Sequence, residues 1–377
     1  MYPNRYLTLD AWRGAAALGV FFYHRFLNRL PVGGCWLGVQ LFFVISGYCI
    51  AAAADGAMRR EMGFGAFMKR RLHRIAPPYL ASCVLAIGLR QLWKGIAPFV
   101  SECGMYLQNL VMMQWVSIAR AQFGGGVVPR SASDNPRLLV AAYWSLNYEE
   151  QFYLIAGLLV LLALVWRARA AMVAAAAITV GVAAVNFARP GLVTGLFCDY
   201  WLQFACGVAL FIRLCKMPTP RAALIFDVVL GAALALSAAV SLRHGELSFD
   251  PHAYHSYGQL TFCLAFAGLL VVLRPFDARL AKTLIGRSFG GLGKFSYSLY
   301  LIHIPVVGGL GFLEKRIERR VGMIGADIFM VGSVLLSSYV FYRLFERPFL
   351  NKPLGDQTAP AAEAPVAVIR GGEHVAL

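Results

Sequence analysis

Apolar segments of about 20 residues recur along almost the whole chain. A helix of about that length crosses the hydrocarbon core of a bilayer, and it satisfies its backbone polar groups internally. Ten such segments can be recognised, at residues 8–28, 34–54, 75–93, 144–165, 170–187, 196–214, 222–242, 257–274, 295–313 and 326–345. The sequence therefore predicts an all-α fold, a polytopic membrane helix bundle of about ten transmembrane helices.

The composition excludes a soluble globular protein. Hydrophobic residues make up 59% of the 377 residues, charged residues make up only 14%, and the mean hydropathy is +0.62. A soluble fold could not bury that much apolar surface. One further apolar stretch, 101–118, contains Glu102, Gln108, Asn109 and Gln114, which are costly in contact with lipid. We expect this stretch to be re-entrant or interfacial.

The distribution of basic residues predicts the topology. Ten spans place both termini on one side, and cytoplasmic loops are enriched in Lys and Arg. The loop 59–74 and its same-side partners hold most of these residues, namely Arg59, Arg60, Lys69, Arg70, Arg71, Arg74, Arg167, Arg169, Arg213, Lys216, Arg221, Arg274, Arg279, Lys282 and Arg287. Both termini are therefore predicted to be cytoplasmic. A basic cluster on the predicted outer side, Lys315, Arg316, Arg319 and Arg320, leaves a miscounted helix in the second half as an alternative.

The net charge of +16 follows from this topology and does not indicate a nucleic-acid partner. A nucleic-acid site gathers basic residues into one patch with stacking aromatics, whereas here the hydrophobic spans separate them. The expected surroundings are membrane lipid. We predict one integral membrane domain, residues 1–350, and a disordered cytoplasmic tail, residues 351–377, which is rich in Ala and Pro.

The first span carries three ionisable residues on one stripe. Asp10 and Arg13 are three residues apart, and Arg13 and His24 are eleven apart, about three helical turns. Ionisable residues inside a bilayer are rare and usually functional. The helical rise places His24 roughly 24 Å and Arg13 about 8 Å from the inner end. His24 is a candidate general base, with hydrogen-bonded packing as the alternative.

The mouth of the third span carries the basic run that ends in Pro77-Pro78-Tyr79. Arg71 and Arg74 face the same way on a helix, and two guanidinium groups suit phosphates. Arg13, Arg71, Arg74 and Tyr79 are therefore the candidates for binding a phosphorylated cosubstrate. Anchoring of the loop to anionic lipid is the alternative.

The fourth span begins with Trp144 and Ser145 and continues through Glu149 to Tyr153. Glu149 lies roughly 8 Å below the outer surface by helical rise, near the depth estimated for His24. A carboxylate there could orient the imidazole and stabilise its protonated form, and a capping or structural role is the alternative. Asp10 joins His24 and Glu149 as a candidate catalytic residue.

Candidate substrate-binding residues come from the fourth and ninth spans. They are Trp144, Ser145, Tyr153 and His303, and for His303 a structural role is favoured over catalysis. We predict no metal site. The polar residues His244, Glu246, Asp250, His252 and His255 show no spacing that is diagnostic of metal binding.

Six motifs in the same order resemble acyltransferase family 3, over nearly the whole chain up to about Leu350. They are Asp10-Ala11-Trp12-Arg13-Gly14 with His24, the Phe42–Tyr48 run, Arg71-x-x-Arg74, Trp144-Ser145-Leu146-x-x-Glu149, Ser296-Tyr297-x-x-Tyr300-Leu301-x-His303, and Glu346-x-Pro348. Gln40 stands where the family often has an acidic residue, so the electrostatic role of that position does not carry over.

The resemblance implies an O-acyltransferase of the bacterial cytoplasmic (inner) membrane. Its members transfer an acyl group from cytoplasmic acyl-CoA to a hydroxyl, usually on an envelope carbohydrate, with an essential histidine that matches His24. Acyl-CoA, most simply acetyl-CoA, is then a cosubstrate, and no tightly bound cofactor is expected. Arg13, Arg71 and Arg74 match the family's important arginines.

Several alternatives remain open on the sequence. The acceptor could be a polysaccharide, a lipid-linked glycan, peptidoglycan or a small natural product such as a macrolide, and transfer could be direct or pass through an acyl-histidine. A transporter or flippase of a carbohydrate or lipid-linked substrate would also need intramembrane charges. In a scaffolding protein the polar stripe would serve helix association. The oligomeric state is not determined by the sequence.

Overall fold

The computed structural model describes residues 6–27, 29–94, 97–124, 135, 137–188, 195–245 and 256–350, and these are almost entirely helical. The helices are α1 (Leu9–Phe26), α2 (Gly38–Arg59), α3 (Phe64–Lys94), α4 (Ala97–Leu110), α5 (Trp115–Phe123), α6 (Trp144–Val165), α7 (Ala168–Ala188), α8 (Trp201–Cys215), α9 (Pro220–Arg243), α10 (Tyr257–Leu273), α11 (Asp277–Leu280), α12 (Leu284–Gly293) and α13 (Ser296–Phe341). The expected tail, 351–377, lies outside these residues.

The protein is a polytopic helical membrane bundle. Seven helices in the described part of the chain are long and apolar enough to cross a bilayer, and α8 is a shorter apolar helix. The longest, α13, contains a non-helical residue, Gly322, with φ of 78°, which separates residues 296–321 from 323–341. These two parts correspond to the ninth and tenth predicted spans. All ten predicted segments are thus helical.

One local prediction differs from the structure. The basic stretch 59–74 is not a loop, because α3 already begins at Phe64 and Arg71 and Arg74 lie within it. Lys and Arg are good helix formers, so a charged sequence at a membrane mouth can remain helical. The stretch 101–118 forms parts of α4 and α5, with a break around Met112, whose φ is 56°. Each of these two helices is too short to cross a bilayer.

Glycines bring the central helices into close contact. A Cβ built on Gly207 of α8 would lie 1.9 Å from the Val44 carbonyl oxygen of α2, and one on Gly47 would lie 2.1 Å from the Phe204 oxygen. The same holds where α1 meets α12, since a Cβ on Gly14 would lie 2.2 Å from the Phe289 oxygen. Such approach lets membrane helices gain dispersion contacts without a hydrophobic driving force.

Substitution of Gly207 by valine is expected to destabilise the bundle. The added side chain would overlap the α2 backbone, and overpacking of this kind costs about 1–3 kcal/mol or more. Gly231→Val in α9 is the matched control, because Gly231 is exposed and has no atom within 4 Å of its built Cβ. Thermal unfolding in detergent should show a lower Tm for Gly207→Val alone. Equal Tm values for the two variants would contradict the packing argument.

Polar contacts tie the start of α1 to the region between α10 and α12. The buried Asp277 accepts hydrogen bonds from the backbone N–H groups of Leu7, at 2.6 Å, and Thr8, at 2.9 Å. Arg274 donates to the same carboxylate at 3.0 Å. We call the end of the bundle where α1 begins the inner end, which the sequence predicts to be cytoplasmic.

Ion pairs connect α1 to both parts of α13 at the opposite, outer end. Arg25 contacts Glu314 and also Asp327, at 2.6 Å, and Arg29 contacts Asp327 at 3.0 Å. Glu314 lies before the break at Gly322 and Asp327 after it. The end of α1 therefore stabilises the reversal between the last two predicted spans.

Candidate active site

A polar cavity of about 360 Å³ lies among α1, α2, α3, α6 and the start of α13. Its lining includes four basic and three acidic side chains, namely Arg13, Arg71, Arg74, Lys294, Asp10, Glu149 and Glu346. Most of the candidate site residues predicted from the sequence are thus brought together, although they come from three separate helices, α1, α3 and α6. The cavity therefore concentrates charged side chains inside an otherwise largely apolar bundle.

Arg71 and Arg74 face this cavity without a carboxylate partner among the described residues. The guanidinium of Arg71 lies 5.8 Å from the ring centres of both Phe67 and Tyr153. Neither arginine forms a salt bridge in the part of the chain that the structure describes. Stacked guanidinium groups with unused donors are suited to bind an oxyanion.

Arg13 extends the cationic surface along α1. Its guanidinium lies 3.5 Å from the Asp10 carboxylate and donates a hydrogen bond to the Cys49 sulfur at 3.3 Å. The contact with Asp10 is at the long limit of a hydrogen bond, so Asp10 compensates the Arg13 charge only in part. Arg13, Arg71 and Arg74 thus line the same cavity, and we refer to these three side chains as its positive wall.

Hydroxyl groups and a backbone N–H, rather than the arginines, bind the half-buried Glu149 and the buried Glu346. Glu149 accepts hydrogen bonds from Ser46, at 2.8 Å, and from Tyr153. Glu346 accepts from the Ser298 backbone N–H at 3.1 Å and from its hydroxyl at 2.5 Å, which also caps the first turn of α13. This division leaves the guanidinium donors free for a ligand.

Ser145 and Tyr300 mark the outer limit of the cavity. The Tyr300 hydroxyl donates to the Ala142 carbonyl at 2.5 Å, and Ser145 lies 2.7 Å from the same hydroxyl. Tyr300 has only one proton to donate, so the Ser145 hydroxyl is the donor in the second bond. The Tyr300 ring centre lies 6.1 Å from that of His303, one turn further along α13.

Two imidazoles, His24 and His303, lie beyond Tyr300. The Nε2 atom of His303 is 3.3 Å from Nδ1 of His24, and the ring centres are 5.1 Å apart. Both rings also contact backbone carbonyls, His24 through Val20, at 2.9 Å, and His303 through Leu299 and Tyr300. His303 is 1% exposed, whereas His24 is exposed.

A second, apolar cavity of about 470 Å³ lies on the other side of this pair along α13. Its lining includes Ile304, Pro305 and Gly308 of α13 and Ala86 and Leu89 of α3. Tyr300 faces the inner cavity and Ile304 faces the outer one. Along α13, His303 thus lies between a charged inner cavity and a more apolar outer one.

The expected pairing of Glu149 with His24 is not observed. Ala142 and Tyr143 are 1% and 0% exposed, so the chain is already buried where α6 begins. Glu149 therefore lies deeper than the depth estimate assumed, in the inner cavity, and it contacts Ser46 and Tyr153 instead. The partner of His24 is His303.

Three predicted ligand-binding residues lie outside the inner cavity, namely His303, which contacts His24 as described above, Tyr79 and Trp144. The Tyr79 hydroxyl donates to the Asn109 carbonyl at 2.7 Å and accepts from Gln114 at 2.7 Å, so it connects α3 to the α4–α5 region. Trp144 packs in an aromatic cluster, with its ring 5.2 Å from that of Tyr200. Both contacts indicate structural roles, whereas Ser145 and Tyr153 do line the cavity.

Several cavity residues had no assigned role in the sequence analysis, namely Ser46, Lys294, Tyr297, Tyr300 and Glu346. Each stands within or beside a quoted motif, but spacing alone does not show which residues of a helix face a cavity. Of the polar residues considered for metal binding, only His244 is described. No group of three potential metal ligands occurs in the described ranges.

The chain is similar in sequence to known proteins. Residues 6–343 match the family model described as "Acyltransferase domain". A putative membrane-bound transacylase, BcsY, of Komagataeibacter xylinus is 30% identical over 92% of this chain and 84% of its own length. No solved structure matches the chain.

Two further relatives share parts of their length with this chain. A putative peptidoglycan O-acetyltransferase, YrhL, of Bacillus subtilis is 27% identical over 81% of this chain. The O-acetyltransferase OatA of Staphylococcus aureus is 31% identical over 42% of it. These matches cover 49% and 26% of the two relatives.

Proposed function

The chain belongs to acyltransferase family 3, and from that premise we propose that it transfers an acyl group from cytoplasmic acyl-CoA to a hydroxyl of an envelope or exported carbohydrate. Acetyl is the simplest acyl group. The relatives named as O-acetyltransferases support this choice, and the one named for peptidoglycan supports an envelope glycan as the acceptor. The proposed location is the bacterial inner membrane.

The observation that carries the donor assignment is the pair of arginines without carboxylate partners in the inner cavity. Coenzyme A carries a diphosphate and a 3′-phosphate, which are the anions that guanidinium groups bind best. Lys294 also lines the cavity and is exposed at the start of α13, which adds a cation for a phosphate. Arg13 continues the positive wall towards the thioester.

His24 is the proposed base. Its imidazole takes the proton from the acceptor hydroxyl as that oxygen attacks the thioester carbonyl carbon, the C–S bond breaks, and the same proton passes to the departing thiolate of coenzyme A. One ester forms, one thioester is lost, and the enzyme is unchanged. In the alternative, an imidazole nitrogen attacks first, and the acyl-histidine then reacts with the hydroxyl.

Tyr300 and Ser145 separate the proposed donor site from the histidine pair. The lining of the inner cavity ends at these residues, so the acyl chain reaches His24 only when their contact opens. A motion of this kind would admit the thioester to His24. Tyr300 is therefore the proposed gate between the inner cavity and His24.

The decisive test is acceptor-dependent release of free coenzyme A. Purified protein in liposomes is given acetyl-CoA labelled in the acetyl group, with and without extracted cell-envelope glycans. We expect thiol release and transfer of label to the glycan only when both substrates are present, and mass spectrometry should show acetyl esters that a deletion strain lacks. A transporter or flippase would consume no acetyl-CoA, so unchanged acetyl-CoA with every acceptor, macrolides included, would contradict the proposal.

A further inference from the structure

The hydrogen bonds of His303 determine which of its nitrogens carries the proton. Its Nδ1 atom lies 3.1 Å from the Leu299 carbonyl oxygen and 2.9 Å from the Tyr300 carbonyl oxygen. Carbonyl oxygens only accept hydrogen bonds, so Nδ1 must be the donor. In the neutral ring, Nε2 of His303 is then an acceptor.

The same reasoning fixes the tautomer of His24. Its Nδ1 atom lies 2.9 Å from the Val20 carbonyl oxygen and 3.3 Å from Nε2 of His303. Both of these neighbours are acceptors, so Nδ1 of His24 carries a proton that they share. The remaining nitrogen, Nε2 of His24, is therefore unprotonated in the neutral ring.

We infer that His303 is a positioning residue: its Nε2 accepts the Nδ1 proton of His24 and so presents the free Nε2 lone pair of His24 to the acceptor hydroxyl. This inference rests on the proposed function for its use in catalysis. The hydrogen-bond pattern itself follows from the contacts of the two rings.

The environment of the pair favours this role over packing alone. His303 is 1% exposed, and a buried imidazole nitrogen without a hydrogen-bond partner would destabilise the fold. The partner of its Nε2 atom is His24, so the two rings satisfy one another. Among the described residues no carboxylate is hydrogen-bonded to either ring. In a catalytic triad a carboxylate orients the imidazole. Here the neutral imidazole of His303 and the Val20 carbonyl orient the ring of His24.

The pair also accommodates the proton that His24 takes up. When Nε2 is protonated, the bonds from Nδ1–H to Val20 and His303 become charge-assisted and shorten. His303 donates its own proton to two carbonyls and remains neutral, so it accepts without repelling the new charge. The imidazolium is thereby stabilised until the thiolate takes the proton.

The test compares His303→Gln with His303→Leu. The glutamine amide oxygen can accept from His24, so its turnover should remain within about tenfold of the parent. Leucine cannot accept this hydrogen bond, so kcat should fall on the order of 10–100-fold, with KM for acetyl-CoA unchanged. The loss should be no larger, because the Val20 carbonyl still accepts the Nδ1 proton. Ile302→Ala, which removes a buried neighbour, is the packing control and should retain the parental kcat.

Nitrogen-15 spectra of histidine-labelled protein test the pairing directly. The signals that disappear in His24→Gln identify His24. In the parent they should show a protonated Nδ1 and an unprotonated Nε2, and in His303→Leu they should show a mixture of the two tautomers. A protonated Nε2 in the parent, or a parental kcat in His303→Leu, would overturn the inference. Turnover in His24→Gln would instead refute His24 as the proposed base. The spectra test the hydrogen bond between the two histidines independently of that result.

Discussion

Purified protein with His24→Ala is expected to lose acyl transfer by about 10²–10⁴-fold in kcat, because general base catalysis typically contributes that factor. Binding of acetyl-CoA should persist, since His24 lies beyond Tyr300 and does not line the inner cavity. Label transfer to glycan under single-turnover conditions measures the first quantity. Equilibrium binding of coenzyme A in detergent measures the second.

His244→Ala is the matched control for this variant. His244 is an exposed histidine at the end of α9, so its loss should change neither quantity. A His24→Ala protein that transfers acetyl at the parental rate would remove the proposed mechanism while leaving the family membership intact. Loss of binding and transfer together, with a lower Tm, would instead show that His24 serves the fold.

The spans were predictable because the bilayer imposes a length and a polarity on every helix that crosses it. All ten predicted segments lie in helices. The extension of α3 back to Phe64 was missed because hydropathy marks the apolar part of a helix and not its polar continuation. The break at Gly322 coincides with the predicted turn between the last two spans.

The contacts of His24 were not predictable from depth along each helix. Counted outward from the starts of α1 and α13, helical rise places His24 at roughly 22 Å and His303 at about 10 Å, so their depths do not match. The structure nevertheless places Nε2 of His303 3.3 Å from Nδ1 of His24. Depth counted along each helix separately therefore does not give the relative position of residues on two helices.

The inner cavity was better predicted than the histidine pair. Arg13, Arg71 and Arg74 were grouped because cations inside or at the mouth of a span need an anionic partner, and all three line the same cavity. Glu149 was misplaced because the segment before α6 is buried, which hydropathy does not reveal. Tyr79 follows Arg74 closely in sequence, but five residues along a helix turn it away from the arginines.

Replacement of both Arg71 and Arg74 by alanine is expected to weaken acyl-CoA binding by about 100-fold. Each hydrogen bond to a charged group contributes about 1.5–3 kcal/mol, and two neighbouring sites are not fully additive. The double substitution Arg71→Lys with Arg74→Lys keeps the charge but loses the planar fork, so it should fall between the parent and the alanine protein. Calorimetric titration of coenzyme A into the purified proteins measures these constants.

A second double variant, with the same loss of two positive charges, distinguishes binding by Arg71 and Arg74 from a general electrostatic attraction of coenzyme A to the protein. Arg60 and Lys69 are exposed and do not line the cavity, so Arg60→Ala with Lys69→Ala should leave affinity within about threefold, as expected for screened surface charges. If the two double variants bind coenzyme A equally, the arginines of α3 attract anions only through their overall charge. The donor assignment then fails.

Dephospho-coenzyme A identifies which phosphate the arginines hold. If Arg71 and Arg74 bind the 3′-phosphate, the parent should bind dephospho-coenzyme A more weakly than coenzyme A. The alanine protein should then bind both ligands equally, because removing either the phosphate or the arginines removes the interaction between them. If they bind the diphosphate, the alanine substitutions should weaken both ligands by the same factor. Because the thioester lies at the far end of a long pantetheine arm, the phosphate that is held determines how far past Tyr300 the acyl group can extend towards His24.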